Sequence, residues 1–255
     1  MKRLLHLYNL IISRLFTRPR HYKVLLGPLK NIYLYMPLSF GVMKYLGIYE
    51  LEQAKFVNNL IKEGYYCVDM GSHVGSMTLL MAKLAGNSGK IWSFEPLNQC
   101  CLLLEGSLQK NNFKNTVIIN SGLSDKLGKK QAYVFNDSGM AHFDKDDFVI
   151  EKSMDTKVLE LVTLDGYFEE NKISKLDFVK VDVEGYEYKA LLGAFNTIKR
   201  FSPQMLIEIH SKDNQKNVYR LLDELGYKIF DLNNNLVDRD KEFEHILYVY
   251  ATKQR

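Results

Sequence analysis

The stretch Tyr65-Tyr-Cys-Val-Asp-Met-Gly-Ser-His-Val-Gly75 decides the fold, because it passes from strand to turn to helix within a few residues. It opens with an apolar run that is typical of a buried strand, and Asp69 ends that strand. Gly71 and Gly75 then lead into the apolar-periodic segment 77–85, which predicts a helix. A nucleotide-like ligand can approach such a turn closely, because glycine has no side chain and tolerates positive φ.

A second predicted strand, at 90–95, ends in the acid Glu95. In nucleotide-binding folds a carboxylate at this point accepts hydrogen bonds from the two ribose hydroxyls. The glycines follow the spacing Asp69-x-Gly71-x-x-x-Gly75, which differs from the G-x-G-x-x-G of most dinucleotide-binding turns. Together the two features predict that the domain binds an adenosine-containing small molecule, but they do not identify it.

From residue 65 onward, predicted strands and helices alternate, which predicts an α/β fold with a parallel sheet and helices on both faces. The strands are predicted at 65–69, 90–95, 116–120, 176–182 and 204–210, and the helices at 75–85, 97–111, 186–199 and 213–225. A further helix at 50–63, ended by Gly64, precedes them.

The alternation stops at two places. Segments 227–232 and 245–251 have no helix between them and predict an antiparallel pair at the edge of the sheet. Segments 129–135 and 157–163 are extended and flank the polar loop 136–147, which is a candidate for contacting the substrate.

The charge of the chain is unevenly distributed. Eight of the 34 basic residues and none of the acidic residues precede Glu50, so 26 basic and 30 acidic residues remain in the rest. We therefore divide the chain into a basic N-terminal extension, 1–49, and a slightly acidic domain, 50–255. A basic extension of this kind favours a polyanionic partner, either anionic lipid or nucleic acid.

Residues 2–16 have apolar side chains at helical spacing, opposite a polar side that includes Lys2, His6 and Asn9. The apolar runs are too short to cross a bilayer and do not suit a signal peptide. Two interpretations stay open. The helix lies on an anionic membrane, which residues 2–30 would contact, or it packs on the domain or on a second subunit.

The three cysteines, Cys67, Cys100 and Cys101, include an adjacent pair and are odd in number, which predicts buried thiols in a cytoplasmic protein. No group of cysteines and histidines has zinc spacing, so we assign no metal ligand from motifs.

Candidate catalytic residues lie at the ends of two strands. Asp182 ends an apolar strand, and Glu184 lies in the turn that follows it. In the next strand Glu208 interrupts an apolar run, and His210 follows the strand. Such acids can orient a hydroxyl, accept its proton or hold a hard cation, and His210 can act as a base near neutral pH. Capping of a helix by Glu187, and a structural histidine at 210, are the alternatives.

Several segments in order resemble the FkbM family of S-adenosylmethionine-dependent methyltransferases. They are Val68-Asp-Met-Gly-Ser-His-Val-Gly75, Phe94-Glu-Pro96, Leu164-Asp165, Lys180-Val-Asp-Val-Glu-Gly-Tyr-Glu187 and Leu206-Ile-Glu-Ile-His210. The resemblance implies a class I methyltransferase (Rossmann-like) fold and O-methylation of a hydroxyl on a sugar, glycolipid or secondary metabolite.

The resemblance also implies the cofactor and its site. The cofactor is S-adenosylmethionine. Its ribose would bind Glu95, and its adenine would lie near Gly122. Its methionine part would lie against four residues of the first turn. The four residues are Asp69, Gly71, Ser72 and Gly75. The acceptor is then a small molecule, a glycan or a lipid.

The expected mechanism is direct displacement, in which Asp182, Glu184 or His210 removes the proton of the acceptor hydroxyl. A divalent cation that bridges Asp182 and a second acid is an alternative way to activate the hydroxyl.

Three other functions share parts of this pattern. A nicotinamide-dependent oxidoreductase is disfavoured, because this chain lacks the glycine spacing and the Tyr-x-x-x-Lys pair of such enzymes. A non-catalytic membrane-associated module is also disfavoured, because it does not explain the retained acids at 69, 95, 182 and 184. A nucleic-acid methyltransferase is disfavoured by the acidic domain and by the absence of an Asn-Pro-Pro-Tyr motif.

Overall fold

The structure is a computed structural model that describes residues 17–135, 140–142, 154–237 and 248–253. The amphipathic segment 2–16, and all of the polar loop 136–147 except 140–142, lie outside the described residues. No helix within the described ranges is long and apolar enough to cross a membrane.

The strands and helices have the following bounds. The strands are β1 Arg20–Lys23, β2 Tyr33–Met36, β3 Tyr66–Met70, β4 Lys90–Phe94, β5 Thr116–Ile119, β6 Gly122–Leu123, β7 Gly128–Phe135, β8 Met140–His142, β9 Met154–Val162, β10 Phe178–Val181, β11 Gln204–Glu208, β12 Lys228–Phe230 and β13 Tyr248–Thr252. The helices are α1 Val42–Leu46, α2 Leu51–Leu60, α3 Ser76–Ala85, α4 Asn98–Asn111, α5 Leu164–Glu170, α6 Glu187–Leu192, α7 Phe195–Phe201 and α8 Lys212–Glu224, with a short 3₁₀ turn at Leu38–Phe40.

A seven-stranded sheet forms the centre of the fold in the order β12-β13-β11-β10-β3-β4-β5. Every neighbouring pair from β11 to β5 is parallel, whereas β13 is antiparallel to both of its neighbours. This confirms the predicted parallel sheet with an antiparallel pair at one edge. The later strand of that pair, β13, is the inner one, and β12 is the edge strand.

Helices cover both faces of the sheet, as the sequence predicts, and each face has its own hydrophobic core. One core packs α5, α6, α7 and α8 against strand residues such as Val68 and Val181. The other packs α2, α3 and α4 against residues such as Cys67 and Phe178. Because neighbouring residues of one strand point to opposite faces, Cys67 and Val68 lie in different cores.

The segment before α2 packs on the second of these cores. Val24, Leu34 and Met36 are buried there with residues of α3, and β2 lies against α4. The amide of Asn111 in α4 pairs with the backbone of Tyr33 in both directions. Residues 24–40 therefore form part of the helical layer on this face of the sheet.

The inserted segments form a second, four-stranded sheet in the order β6-β9-β7-β8. Its long pair, β7 and β9, contains the two segments that the sequence predicts as extended. Its inner surface buries Ala132, Val134 and Leu159 against Leu97 and Tyr186. This small sheet therefore packs beside the carboxyl edge of the main sheet, and Ala141 of β8 reaches the cleft described below.

The single helix predicted at 186–199 is wrong, because two helices, α6 and α7, occupy this segment. The first of them ends at Gly193, where a Cβ atom would come within 1.9 Å of the carbonyl oxygen of Ser124, so two backbone segments meet at this point. The carboxylate of Asp165 then accepts hydrogen bonds from the backbone N–H groups of Asn196 and Thr197 and so caps the new helix.

The predicted burial of the thiols is confirmed: Cys67, Cys100 and Cys101 are buried and form no disulfide.

Candidate functional site

An open cleft enclosing about 860 Å³ lies at the carboxyl ends of β3, β4 and β10, where ligands bind in open parallel sheets. Six of the nine site residues predicted from the sequence lie in its wall: Gly71, Ser72, Glu95, Gly122, Asp182 and Glu184. Gly75, Asp69 and His210 lie behind it. The remaining wall is mostly apolar and includes Val74, Met77, Phe94, Leu123 and Val183.

The two glycines of the first turn are required by the packing of the protein itself. Both adopt positive φ angles, +85° for Gly71 and +88° for Gly75. A Cβ atom on Gly71 would lie 1.8 Å from the carbonyl oxygen of Asp182, and one on Gly75 would meet the side chain of Leu104 at 2.2 Å. The turn therefore lies directly on the end of β10, which brings the first turn and Asp182 into one site.

Glu95 is buried, and both of its carboxylate oxygens have backbone donors. Oε2 accepts from the N–H of His73 at 2.8 Å, and Oε1 accepts from the N–H of Leu97 at 2.9 Å. Burial raises the pKa of Glu95 to about 7, although these two hydrogen bonds act in the opposite direction. Each oxygen keeps a second lone pair, so the carboxylate can still accept from a ligand in the cleft.

Asp69 lies beneath the turn, outside the wall of the cleft. Its Oδ2 accepts a hydrogen bond from the hydroxyl of Thr78 in α3, and the residue is fully buried. Burial raises its pKa, although the ammonium of Lys180, its neighbour across β3 and β10, lowers it. The structure therefore places Asp69 as a support that joins the turn to α3 and to Lys180.

Two serine hydroxyls in the cleft wall have no partner within the described part of the chain. They are the buried Oγ atoms of Ser72 and Ser76, at the turn and at the first residue of α3. A buried polar group without a hydrogen bond is costly, so such atoms favour a polar ligand at this point. The N-terminus of α3 adds a positive partial charge beside them.

Lys44 brings a buried ammonium to the same end of the cleft. Its Nζ lies 3.4 Å from Nδ1 of His73 and 4.1 Å from the centre of the Tyr49 ring. Burial lowers its pKa, and the nearby carboxylate of Glu50 partly offsets this effect. Within the described part of the chain, Lys44 forms no salt bridge with a carboxylate. A buried ammonium without such a partner, in the wall of the cleft, suits an anionic ligand.

Lys180 and Asp182 form a buried ion pair at the end of β10, with Nζ and Oδ2 2.8 Å apart. Although burial opposes it, the carboxylates of Asp182 and Glu50 raise the pKa of Lys180 well above its usual value. Burial likewise acts to raise the pKa of Asp182, but the ammonium of Lys180 lowers it overall. Asp182 is therefore ionised and fixed in direction, with Oδ1 facing away from the lysine.

His210 lies among four carboxylates behind the cleft. Its Nδ1 is 2.8 Å from Oε1 of Glu187, and its Nε2 is 3.3 Å from Oε2 of Glu184. Burial lowers the pKa of His210, but the hydrogen bond and charge of Glu187 raise it overall to about 9. A histidine with this pKa is mostly protonated at neutral pH, a state in which it cannot accept a proton.

Glu184 stands between His210 and the cleft. It adopts a left-handed backbone conformation, with φ of +50°, which turns the chain after β10. Burial, followed by the charge of Asp182, raises its pKa to about 7. Unlike His210, Glu184 lies in the wall of the cleft, where an acceptor can reach it.

The register of the sheet places Glu208 beside Asp182. Val181 pairs with Ile207 across β10 and β11, so the residues that follow each of them are neighbours. On its other side Glu208 pairs with Tyr248 of β13, whose phenol is hydrogen-bonded to it. Burial and the charge of Asp182 raise the pKa of Glu208 to about 8.

Sequence reasoning missed several parts of this site, among them Lys44, Glu50, Ser76 and Lys180, and also the contact of Glu187 with His210. Lys180 has a signal, because it is a single cation in the apolar strand 178–181. Glu187 has only a weak one, since an acid in the first turn of a helix is expected anyway. Lys44 and Glu50 have none, because they reach the cleft only through the packing of α1 and α2 on the domain.

Comparison with known proteins identifies the family of the chain. The family model for the methyltransferase FkbM domain matches residues 69–229, which is more than half of the chain. The chain is 30% identical to the hexuronic acid methyltransferase AglP of Haloferax volcanii over 179 residues, which are 69% of this chain and 67% of that protein.

A solved structure shares the fold. The methyltransferase FkbM from Methylobacillus flagellatus superposes with a TM-score of 0.51 at 13% identity, over 82% of this chain and 53% of that one. The chain thus spans about half the length of that structure. An S-adenosylmethionine-dependent O-methyltransferase from Thermotoga maritima matches with a TM-score of 0.48 at 15% identity, over 87% of this chain and 73% of that one.

The family match selects a methyltransferase over the nicotinamide-dependent oxidoreductase that shares its turn. It begins at Asp69, within the stretch that decides the fold, and it contains both Glu95 and the acids after β10. The chain belongs to the FkbM family of S-adenosylmethionine-dependent methyltransferases.

Proposed function

We propose that the protein transfers the methyl group of S-adenosylmethionine to a hydroxyl group of a sugar or of a sugar-containing lipid. The observation that carries the proposal is that one cleft contains both Glu95 with the first turn and the acids Asp182 and Glu184. The first set suits an adenosyl cofactor, and the second suits a hydroxyl that must lose its proton. The 30% identity to a hexuronic acid methyltransferase supports a sugar as the acceptor.

The residues of the cleft fit the cofactor along its length. Glu95 would hold the ribose, and the apolar residues Phe94 and Leu123, beside Gly122, would contact the adenine. The unpartnered hydroxyls of Ser72 and Ser76 would bind the methionine part. Lys44, which lies near the same turn, would pair with the methionine carboxylate.

The cofactor supplies a methyl group that is already electrophilic, so the task of the protein is to align and deprotonate the acceptor. Asp182 is fixed by Lys180, which makes it suited to orient the hydroxyl by accepting its hydrogen bond. Glu184 lies in the cleft wall and is the better placed of the candidates to take the proton. His210 lies behind Glu184 and acts on the acceptor only through it.

Methyl transfer can be tested directly with S-adenosylmethionine labelled in its methyl group. The full-length protein is incubated with hexuronic acids, neutral hexoses and their lipid-linked forms, and the label in each acceptor is measured. We expect label in a sugar hydroxyl. Tight binding of S-adenosylhomocysteine together with no transfer to any of these sugars would contradict the proposal for hexuronic acids and neutral hexoses.

Glu184→Gln tests the assignment of the base. Because Gln keeps the shape but cannot accept the proton, kcat should fall by about 100-fold or more while the affinity for S-adenosylhomocysteine stays unchanged. Glu105→Gln, an exposed acid on the outer side of α4, is the matched control. Unchanged kcat in Glu184→Gln would assign the base elsewhere.

A further inference from the structure

Three carboxylates behind the cleft converge on Nε2 of His210. Nε2 of His210 lies 3.3 Å from Glu184 Oε2, 3.5 Å from Glu208 Oε1 and 3.8 Å from Asp182 Oδ1. These distances exceed the 2.7–3.2 Å that is usual for a hydrogen bond from nitrogen to oxygen, yet three oxygens converge on the same atom. By contrast, Nδ1 of the same ring makes a normal contact at 2.8 Å.

We propose that Asp182, Glu208 and His210 form a binding site for a divalent metal ion. One ligand atom from each of these residues lies within 4.8 Å of the other two. Two ligand atoms that are each about 2.1 Å from one ion are separated by about 3.0–3.5 Å at angles near 90–110°. The separation of Nε2 from Glu208 fits this range, and the separation from Asp182 fits a wider angle.

The second contact of the histidine supports the same assignment. A carboxylate oxygen can only accept a hydrogen bond, so Nδ1 carries the hydrogen that it donates to Glu187. Glu187 is fully buried and also accepts from the N–H of Gly185 and the amide of Asn214. This carboxylate–histidine arrangement fixes the ring and aims Nε2 at the other acids, as in metal sites, and a bound ion would displace the proton that Nε2 carries at neutral pH.

The two carboxylates are also held from behind. Oδ2 of Asp182 is occupied by Lys180, which leaves Oδ1 toward the histidine, and Glu208 is fixed by the phenol of Tyr248. The side chains of Asp182, Glu208 and His210 are 16%, 11% and 17% exposed, so the group is not completely closed off from solvent. One nitrogen and two carboxylate ligands suit a first-row ion such as Mn²⁺.

A cation here would add positive charge next to Asp182, and so next to the acceptor hydroxyl. That would lower the pKa of the hydroxyl and assist Glu184. This role rests on the proposed function, whereas occupation of the site does not.

The test is titration of the full-length protein with Mn²⁺ alone, followed by calorimetry and by loss of the electron paramagnetic resonance signal of the free ion. We expect one ion per chain with micromolar affinity. Glu208→Gln and His210→Gln should each weaken binding at least 100-fold, and Glu187→Gln about 10- to 100-fold through loss of ring orientation. Glu105→Gln is the control for removal of an acid and should bind as the unsubstituted protein does.

Binding of S-adenosylhomocysteine, measured in parallel, shows that each variant is folded. Absence of stoichiometric Mn²⁺ binding, or binding that survives both Glu208→Gln and His210→Gln, would overturn the proposal. Mn²⁺ binding without methylation of any sugar would leave the metal site and remove the proposed function. Methylation of a sugar by a protein that binds no metal would support the proposed function and overturn the metal site.

Discussion

The backbone N–H of His73 donates a 2.8 Å hydrogen bond to Glu95, which joins the first turn to the end of the neighbouring strand. The φ angle of His73 is +51°, so this turn is held in an uncommon backbone conformation. One carboxylate therefore shapes the turn and faces the cleft. A substitution at position 95 should therefore keep an acceptor for the N–H of His73 while it changes the group that faces the cleft.

Glu95→Gln should weaken binding of S-adenosylhomocysteine by about 2 kcal/mol, or roughly 30-fold, because a charged acceptor for the ribose is lost. Gln keeps the size of the side chain and one acceptor oxygen for the backbone. Calorimetric titration measures the affinity, with Glu105→Gln as the control. Equal affinities in Glu95→Gln and the control would place the ribose elsewhere.

The affinity for S-adenosylhomocysteine should also depend on pH. Burial raises the pKa of Glu95 to about 7, and ribose hydroxyls donate best to the ionised form. Affinity should therefore rise about tenfold between pH 6 and pH 8, and the part due to this residue should be absent in Glu95→Gln. Without ligand the sign is opposite: the raised pKa favours the folded state at low pH, and this stability is lost as pH rises through 7. Identical pH profiles of the two proteins would contradict the assignment.

Gly71→Ala should reduce the free energy of unfolding by about 2 kcal/mol or more, because a Cβ atom meets the Asp182 carbonyl in addition to the strained φ. Gly226→Ala is the matched control: its φ is +77°, but a Cβ there has nothing within 4 Å. Urea unfolding measures both. A loss in Gly71→Ala no larger than in the control would mean that the close approach to Asp182 has no energetic consequence.

Lys44→Met should weaken binding of S-adenosylhomocysteine by about 2 kcal/mol, since the methionine carboxylate loses its ammonium partner. Methylthioadenosine has no carboxylate, and its affinity should not change. Calorimetry with both ligands separates the charge from the packing of the side chain. If both ligands weaken equally, Lys44 contributes only packing.

Membrane contact through residues 2–30 remains a prediction. In the described part, Arg18, Arg20 and Lys23 are exposed near Leu25 and Leu26, which are 44% and 54% exposed. Full-length protein should float with vesicles containing phosphatidylglycerol but not with pure phosphatidylcholine, and a chain lacking residues 1–16 should float less. Equal flotation of both chains would remove the role of the N-terminal segment. Equal flotation on both vesicles would remove the role of charge.

The strands of the main sheet could be predicted because each is an apolar run with a turn signal after it. The strand predicted at 65–69 is Tyr66–Met70, and the one at 90–95 is Lys90–Phe94. The break in the helix predicted at 186–199 could not be predicted, because it lies where Gly193 meets Ser124 and where Asp165 caps the second helix, and both partners are distant in sequence. A local pattern contains no information about such a contact.

In the site, too, some residues could be predicted from the sequence and others could not. Residues at strand ends, such as Glu95 and Asp182, could be placed in a cleft because parallel strands end at one edge of a sheet. Whether a side chain faces the cleft or lies beneath it depends on its direction, which explains why Asp69 supports the turn from behind. Lys44 reaches the cleft from outside the motif-bearing region, so only the folded chain identifies it.

The position of β13 between β11 and β12 has a consequence for the order of assembly. During synthesis β10 and β11 emerge well before residues 248–252, so the side of β11 that faces β13 is unpaired at first. An unpaired strand edge invites association with other chains. Tyr248 reaches Glu208 only when β13 is inserted, so the acids behind the cleft take their final arrangement late. A chain interrupted before residue 248 would therefore combine an incomplete site with an edge prone to aggregation.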